Sequence, residues 1–113
     1  FFRSKPVYDK KTAEYTAENL NIDGDMTKMI RLAADGRGTV YFMNGSAGVK
    51  QHSGVIGSQD IIYTDESFLT EAPSYSYCSV DKEKIVFKTY TVDESGSETL
   101  IDAWGMYWNA GLV

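Results

Sequence analysis

The sequence predicts a mostly β chain of the α+β class, with an antiparallel meander, long loops and at most one short helix. The first observation is composition, because the 113 residues include eight Tyr, five Phe and two Trp, and aromatic side chains favour the pleated, half-buried surface of a sheet. The second is that the last third divides into three strand-like runs with short polar connections. A chain of this length has room for one hydrophobic core.

The first third of the chain carries the weakest pattern. Residues 8–20 are polar and show little periodicity. In residues 25–34, apolar side chains recur at helical spacing, with an Asp before them and a Gly just after them. These apolar residues are Met26, Met29, Ile30 and Ala33. We therefore expect the single short helix here.

The middle of the chain contains one strand candidate and one long loop. Residues 38–43, Gly-Thr-Val-Tyr-Phe-Met, form a β-branched and aromatic run with Gly-containing turns on both sides. Because the run is nearly all apolar rather than alternating, it predicts a strand buried on both faces. Residues 44–70 follow as a Gly- and Ser-containing stretch in which only residues 60–63 look strand-like. Loops of this length inside a domain usually serve a site or an interface.

The last third predicts an antiparallel meander of three strands, Ser74–Val80, Lys84–Val92 and Glu98–Tyr107. The two connections, residues 81–83 and 93–97, have the length and the polar residue types of hairpin turns. A proline stands just before the first strand, where its missing N–H costs the ladder least.

Charge and composition exclude several classes of partner. The formal net charge of −5 and the scattered Lys and Arg residues give no basic surface for nucleic acid. No window approaches the roughly 20 consecutive apolar residues that cross a bilayer, so we expect no membrane partner. Cys78 is the only cysteine, which excludes an internal disulfide and a cysteine-based zinc cluster.

Three patterns are candidates for chemistry, and each has a plainer interpretation. His52 is the only histidine, and no nucleophile-elbow motif accompanies it, so an exposed or hydrogen-bonded loop histidine is the plainer alternative. Residues 21–25 have the spacing that opens a calcium loop, but Met26 and Leu32 replace the required Gly and Glu. Residues 45–50 are Gly-rich without the Walker spacing, which leaves a flexible loop or an anion-binding nest.

Four landmarks occur in order along the chain. The first is Phe-Phe-Arg-Ser at residues 1–4, and the second is the Gly-Thr-Val-Tyr run with the small-residue loop after it, residues 38–48. The third is Pro-Ser-Tyr-Ser-Tyr at residues 73–77. The fourth is the hairpin of residues 85–92 and 100–104, in which Thr-Tyr-Thr-Val is followed by Ile-Asp. Together they resemble the C-terminal end of the calcineurin-like metallophosphoesterases, the superfamily that includes the purple acid phosphatases.

In that family the last metal-binding motif, Gly-His-x-His, is followed by an aromatic-x-Arg-Ser run. The resemblance therefore implies that the chain begins just past the final metal ligand, and the start at Phe1 instead of Met is in keeping with an upstream part that is missing. We expect residues 1–113 to be a single segment, the C-terminal part of a larger metallophosphoesterase domain. The resemblance also implies that the meander forms part of a two-sheet β-sandwich.

By this resemblance, the full protein is a hydrolase of phosphoester substrates with a centre of two Fe, Mn or Zn ions, which activate a hydroxide. None of the family's ligands falls within residues 1–113, so this chain is expected to hold no cofactor and to be inactive without the missing N-terminal part of the protein. It would supply sheet scaffold and pocket loops. The candidate pocket residues are Arg3, Asn44, Ser46 and His52.

The alternative is an independent β-rich binding or adhesion module of a surface protein, with residues 44–70 as its binding face and exposed aromatic residues as a platform for sugars. The triplet Asn44-Gly45-Ser46 is a formal glycosylation acceptor, which matters only on a secretory route, so localisation stays open. A sheet taken out of a sandwich exposes edges, and a homodimer of the segment is therefore expected.

Overall fold

The computed structural model describes residues 1–33, 37–44, 64–67 and 72–108. Within these ranges all regular structure is β. The same ranges therefore contain no helix of the length and apolar character that crosses a membrane. The strands are β1 (Phe2–Ser4), β2 (Val7–Tyr8), β3 (Lys11–Thr12), β4 (Tyr15–Ile22), β5 (Asp25–Leu32), β6 (Phe42–Met43), β7 (Thr64–Ser67), β8 (Ser74–Val80), β9 (Lys84–Val92) and β10 (Glu98–Tyr107).

The larger sheet has five strands in the order β4-β5-β10-β9-β8. The predicted meander is confirmed as β8, β9 and β10, with the predicted bounds. Its turns follow from local chemistry: the Asp81 carboxylate accepts the backbone N–H groups of Glu83 and Lys84, and Gly96 adopts a φ of 86°, which favours glycine. Strand β10 then runs parallel to β5, and the register shifts at Ile101, which forms a bulge.

The helix predicted for residues 25–34 is wrong, because this segment is strand β5, paired with β4 in a hairpin. The turn uses Asp23 and Gly24, both at positive φ, as two-residue hairpin turns require. Strand β5 lies between β4 and β10 and buries residues on both faces, Met29 on one and Ile30 on the other. A strand covered on both faces has apolar residues at mixed spacings, so its pattern imitates a helix.

Strands β2 and β3 pair separately as a two-stranded antiparallel sheet. The three-stranded sheet, hereafter the smaller sheet, has the order β6-β1-β7, with all pairings antiparallel. Only Phe42 and Met43 of the predicted strand 38–43 lie in a regular strand, although Thr39 adds an isolated bridge to Val7. The prediction that this run is buried on both faces is also wrong, because Tyr41 is 60% and Met43 68% exposed. Strand β6 is an outer strand with one solvated face. The strand-like residues 60–63 lie outside the described residues.

The two sheets pack as layers of a sandwich around an aromatic cluster. Phe42 of β6 lies 4.9 Å from Phe87 of β9 and 5.7 Å from Trp104 of β10, measured between ring centroids. Phe87 and Trp104 are stacked side by side at 5.0 Å. Trp104 is 2% exposed, so the cluster forms the centre of the contact between the sheets.

Candidate functional site

Arg3 occupies the middle strand of the smaller sheet and is only 1% exposed. Its guanidinium makes a bidentate contact with Asp102 of β10, with Nε 2.9 Å from Oδ2 and Nη2 3.0 Å from Oδ1. The remaining terminal nitrogen, Nη1, donates to Asp65 of β7. The bidentate geometry fixes both side chains, because the planar guanidinium matches the two oxygens of a carboxylate.

Lys28 of β5 extends this contact into a four-residue network, hereafter the interface ion cluster: Arg3, Asp102, Asp65 and Lys28. The Lys28 ammonium donates to Asp65 Oδ1 at 2.7 Å. Two cations and two carboxylates therefore balance each other between the sheets. Burial lowers the pKa of Arg3, but the hydrogen bonds and charges of Asp102 and Asp65 outweigh it and raise the pKa above its ordinary value, so Arg3 stays charged.

A cavity of about 290 Å³ lies beside this cluster. Arg3, Lys28 and Asp102 reach its wall, together with Glu66 and the bulge residue Ile101. The Arg3 guanidinium is engaged by two carboxylates, whereas the Lys28 side chain keeps 30% of its surface exposed. The cluster is thus built to hold the sheets in register, with Lys28 as its accessible charge.

A second polar contact joins the sheets at the end of β6, hereafter the Asn44 latch: Asn44, Ser74, Ser76 and Thr89. The Asn44 side-chain oxygen accepts from Ser76 Oγ at 2.8 Å, and its backbone oxygen accepts from Ser74 Oγ at 2.7 Å. Ser76 Oγ also lies 2.7 Å from Thr89 Oγ1. The Asn44 amide nitrogen donates to the Ser74 carbonyl at 3.4 Å, so the amide of the formal glycosylation triplet is engaged within the sandwich.

The structure places two of the four predicted pocket residues. Arg3 and Asn44 both lie where the sheets meet, but Arg3 bonds to Asp65 and Asp102 while Asn44 bonds to Ser74 and Ser76. Ser46 and His52 lie outside the described residues.

Sequence reasoning missed Asp102, Asp65 and Lys28 as site residues. One signal was present for Asp102, since a carboxylate inside the apolar run Leu-Ile-Asp-Ala-Trp is expected to be paired when the strand is buried. Asp65 lies in a polar run, so its neighbours in the sequence give no sign that its carboxylate is buried.

The other face of the larger sheet carries an open groove of about 540 Å³. Its floor includes Lys88, whose ammonium donates to the Ile22 carbonyl and to Asp25 Oδ2, both at 2.8 Å. Its walls include Tyr77 and Tyr90. Aromatic faces beside fixed charges are suited to an amphipathic small ligand.

Within the described part of the chain, no three His, Cys, Asp or Glu side chains gather in a way that could hold a metal ion. Comparison of the chain with models of known families, with curated proteins and with solved structures found no match in any of the three.

Proposed function

We propose that the chain is the C-terminal β-rich portion of a metal-dependent phosphoester hydrolase of the calcineurin-like metallophosphoesterase class. In this proposal it supplies sheet scaffold and the loops beside the substrate pocket. Residues N-terminal to this segment would supply the ligands of two Fe, Mn or Zn ions, which when bound would activate a hydroxide and stabilise the attacking and leaving oxygens of an in-line displacement on the phosphoester.

The observation that carries the proposal is a closed ring of contacts among the four sequence landmarks. The first landmark meets the second through Ser4 and Tyr41: Ser4 N–H donates to the Tyr41 carbonyl at 2.8 Å, and Tyr41 N–H donates to Ser4 Oγ at 2.9 Å. The second meets the third through Asn44 and Ser76 in the Asn44 latch. Three segments far apart in sequence thus share one corner of the fold.

The ring is completed by the fourth landmark. Ser76 of the third landmark contacts Thr89 of the fourth. Asp102, the acidic residue of the Ile-Asp phrase, pairs with Arg3 of the first landmark across 99 residues of sequence. Two of these four contacts, Asn44 with Ser76 and Arg3 with Asp102, join the two sheets, as expected if the resemblance reflects a shared architecture and not chance phrases.

In the proposed role, the interface ion cluster has a positioning function. Arg3 follows within a few residues of the place where the resemblance puts the last metal-binding motif, and its bidentate contact with Asp102 fixes the strand that leads away from that motif. A strand held by a buried ion pair orients the residues before it more sharply than a loop does.

The test is a longer protein that includes the residues N-terminal to Phe1. We expect those residues to end in Gly-His-x-His, and the longer protein to bind two metal ions per chain by elemental analysis and to hydrolyse bis(p-nitrophenyl) phosphate in a chelator-sensitive way. The control changes both histidines of that motif to Ala, which should remove metal and activity and leave the β circular dichroism unchanged. A longer protein that has the motif and binds no metal overturns the proposal.

A second candidate function is the independent binding module, and the groove that Tyr77 and Tyr90 line is the observation that favours it. Tyr77 is 62% exposed, and a tyrosine face can stack on the apolar face of a sugar ring while the fixed charges of Lys88 and Asp25 bond its hydroxyls. If the upstream residues contain no Gly-His-x-His motif, this groove becomes the site to test with saccharides.

A further inference from the structure

Among the described strands, the larger sheet ends in β4 on one side and β8 on the other. The two edges differ in charge. Strand β4 carries Glu18, whereas β8 reads Ser-Tyr-Ser-Tyr-Cys-Ser-Val and has no charged residue over its length. An uncharged edge strand of this length is open to pairing with another strand, and natural proteins usually block such edges with Lys, Pro or a bulge.

The register shows which backbone groups of β8 point outward. Asp81 N–H donates to the Lys84 carbonyl, and Val92 N–H donates to the Pro73 carbonyl. Asp81 with Lys84 and Pro73 with Val92 are therefore hydrogen-bonded pairs of the β8–β9 ladder. Pairs alternate along an antiparallel ladder, and with the observed register the inward-bonding residues of β8 are Tyr75, Tyr77 and Ser79.

The residues between them point their N–H and C=O groups away from β9. They are Ser74, Ser76, Cys78 and Val80. The Ser74 carbonyl agrees with this direction, because it accepts from the amide of Asn44, a residue that is not part of the larger sheet. Ser76, Cys78 and Val80 thus present a row of donors and acceptors to whatever strand comes alongside.

Exposed apolar side chains gather at the same edge. Tyr77 and Val80 are each 62% exposed, and Tyr75 and Trp108 are each 37% exposed. Trp108 lies against the β8–β9 turn, where its Nε1 donates to the Asp81 carbonyl at 2.9 Å. A strand edge that exposes both backbone groups and large apolar side chains has the features of a protein interface.

We propose that β8 pairs antiparallel with β8 of a second copy of this chain, which joins the two five-stranded sheets edge to edge. A twofold axis brings the same outward groups of both copies together, so the N–H groups of each β8 face the carbonyl groups of the other. With Cys78 on the axis, Ser76 of each copy lies opposite Val80 of the other. The absence of charge from β8 means that no like charges meet across the pairing.

This arrangement places the two Cys78 residues directly opposite each other. The Cα atoms of a hydrogen-bonded antiparallel pair are about 5.5 Å apart, within the range of about 4.4 to 6.8 Å that a disulfide spans. Cys78 is exposed, so an added oxidant such as copper–phenanthroline can take one hydrogen from each thiol and join the two chains covalently.

The primary experiment is light scattering on this chain over a concentration series under reducing conditions. We expect a mass of about twice 12.6 kDa. The variant Cys78→Lys puts two ammonium groups on the axis, and its mass should fall to that of one chain. The control Thr16→Lys makes the same change of charge at an exposed position on the opposite edge strand, β4, and should keep the mass of two chains.

Circular dichroism of each variant establishes that it is folded. Should Cys78→Lys fail to fold, Val80→Lys tests the same edge at a position that is already 62% exposed. Hydrogen exchange on the wild type gives an independent measure: the amides of Ser76, Cys78 and Val80 should exchange more slowly at high than at low protein concentration.

A wild-type mass of one chain at every concentration overturns the proposal. So does a folded Cys78→Lys protein that keeps the mass of two chains, or a Thr16→Lys control that loses it. The inference does not depend on the phosphoester function, because it concerns only the backbone of one sheet edge and is tested without metal or substrate.

Discussion

The two sheets of this sandwich are held together in different ways. The three described inner strands of the larger sheet, β5, β10 and β9, have 8 to 10 residues each, and they carry the buried side chains Met29, Ile30, Val86, Ala103 and Trp104. The strands of the smaller sheet have 3, 2 and 4 residues. Such short strands are marginal by backbone pairing alone.

The smaller sheet is therefore fixed by side chains that reach across to the larger one. Arg3 reaches Asp102, Lys28 reaches Asp65, and Phe42 packs on the aromatic cluster. We therefore expect the larger sheet to stay folded when the smaller one loosens, because the smaller one depends on a few polar and aromatic anchors for its place. Substitutions in the anchors should loosen one sheet and spare the other.

The largest effect is expected for Arg3→Met. It leaves the Asp102 carboxylate, whose side chain is 8% exposed, without its cation and leaves Asp65 with Lys28 alone. Breaking a buried pair on one side costs about 3 to 5 kcal/mol. Urea denaturation should show this loss of unfolding free energy. Hydrogen exchange should accelerate first in β1 and β7, while β9 and β10 stay protected.

The matched control for Arg3 is Arg31→Met on β5. Arg31 is exposed, and its guanidinium carbon lies 4.3 Å from the Tyr107 ring centroid, a surface cation–π contact worth about 0.5 to 1 kcal/mol. Equal losses for the two variants would contradict the assignment of Arg3 as the main anchor of the smaller sheet.

A smaller effect is expected for Asn44→Ala. This change removes the acceptor of Ser76 and the donor to the Ser74 carbonyl, while Thr89 stays within reach of Ser76. The loss should be about 1 to 2 kcal/mol, the usual value for a partly buried hydrogen bond with one partner removed. The exposed Asn19→Ala on β4 is the control. Equal losses of unfolding free energy in Asn44→Ala and Asn19→Ala would show that the Asn44 latch does not hold β6.

The same contrast explains what the sequence could and could not predict. The meander was predicted with its bounds because its turns are local: Asp81 and Gly96 mark them within a few residues. The interface ion cluster joins Arg3 to Asp102 across 99 residues, and no local pattern records which carboxylate a given arginine will meet. Residues 25–34 were mistaken for a helix because burial on both faces of β5 removes the alternation that identifies a strand.

The smallest loss of stability is expected from a change in a turn of the larger sheet, because these turns do not touch the smaller sheet. Asp93 Oδ1 accepts from Ser95 Oγ at 2.7 Å and from the N–H groups of Ser97 and Ser95 at 2.8 and 2.9 Å. These bonds, that of the Ser95 hydroxyl first, hold the pKa of Asp93 below its ordinary value of 3.8. The folded chain therefore binds the proton of this carboxyl less readily than the unfolded chain does.

A lowered folded-state pKa gives stability that is present in full above the unfolded pKa and is lost as the pH falls through the folded one. Asp93→Asn should therefore lower the urea midpoint slightly at neutral pH, and the difference from wild type should close below about pH 4, the ordinary range for Asp. The control Glu94→Gln removes the same charge from the same turn and should lower the midpoint less. A difference that stays constant down to pH 2, about two units below that range, would mean that the loss of stability in Asp93→Asn does not come from the charge of Asp93.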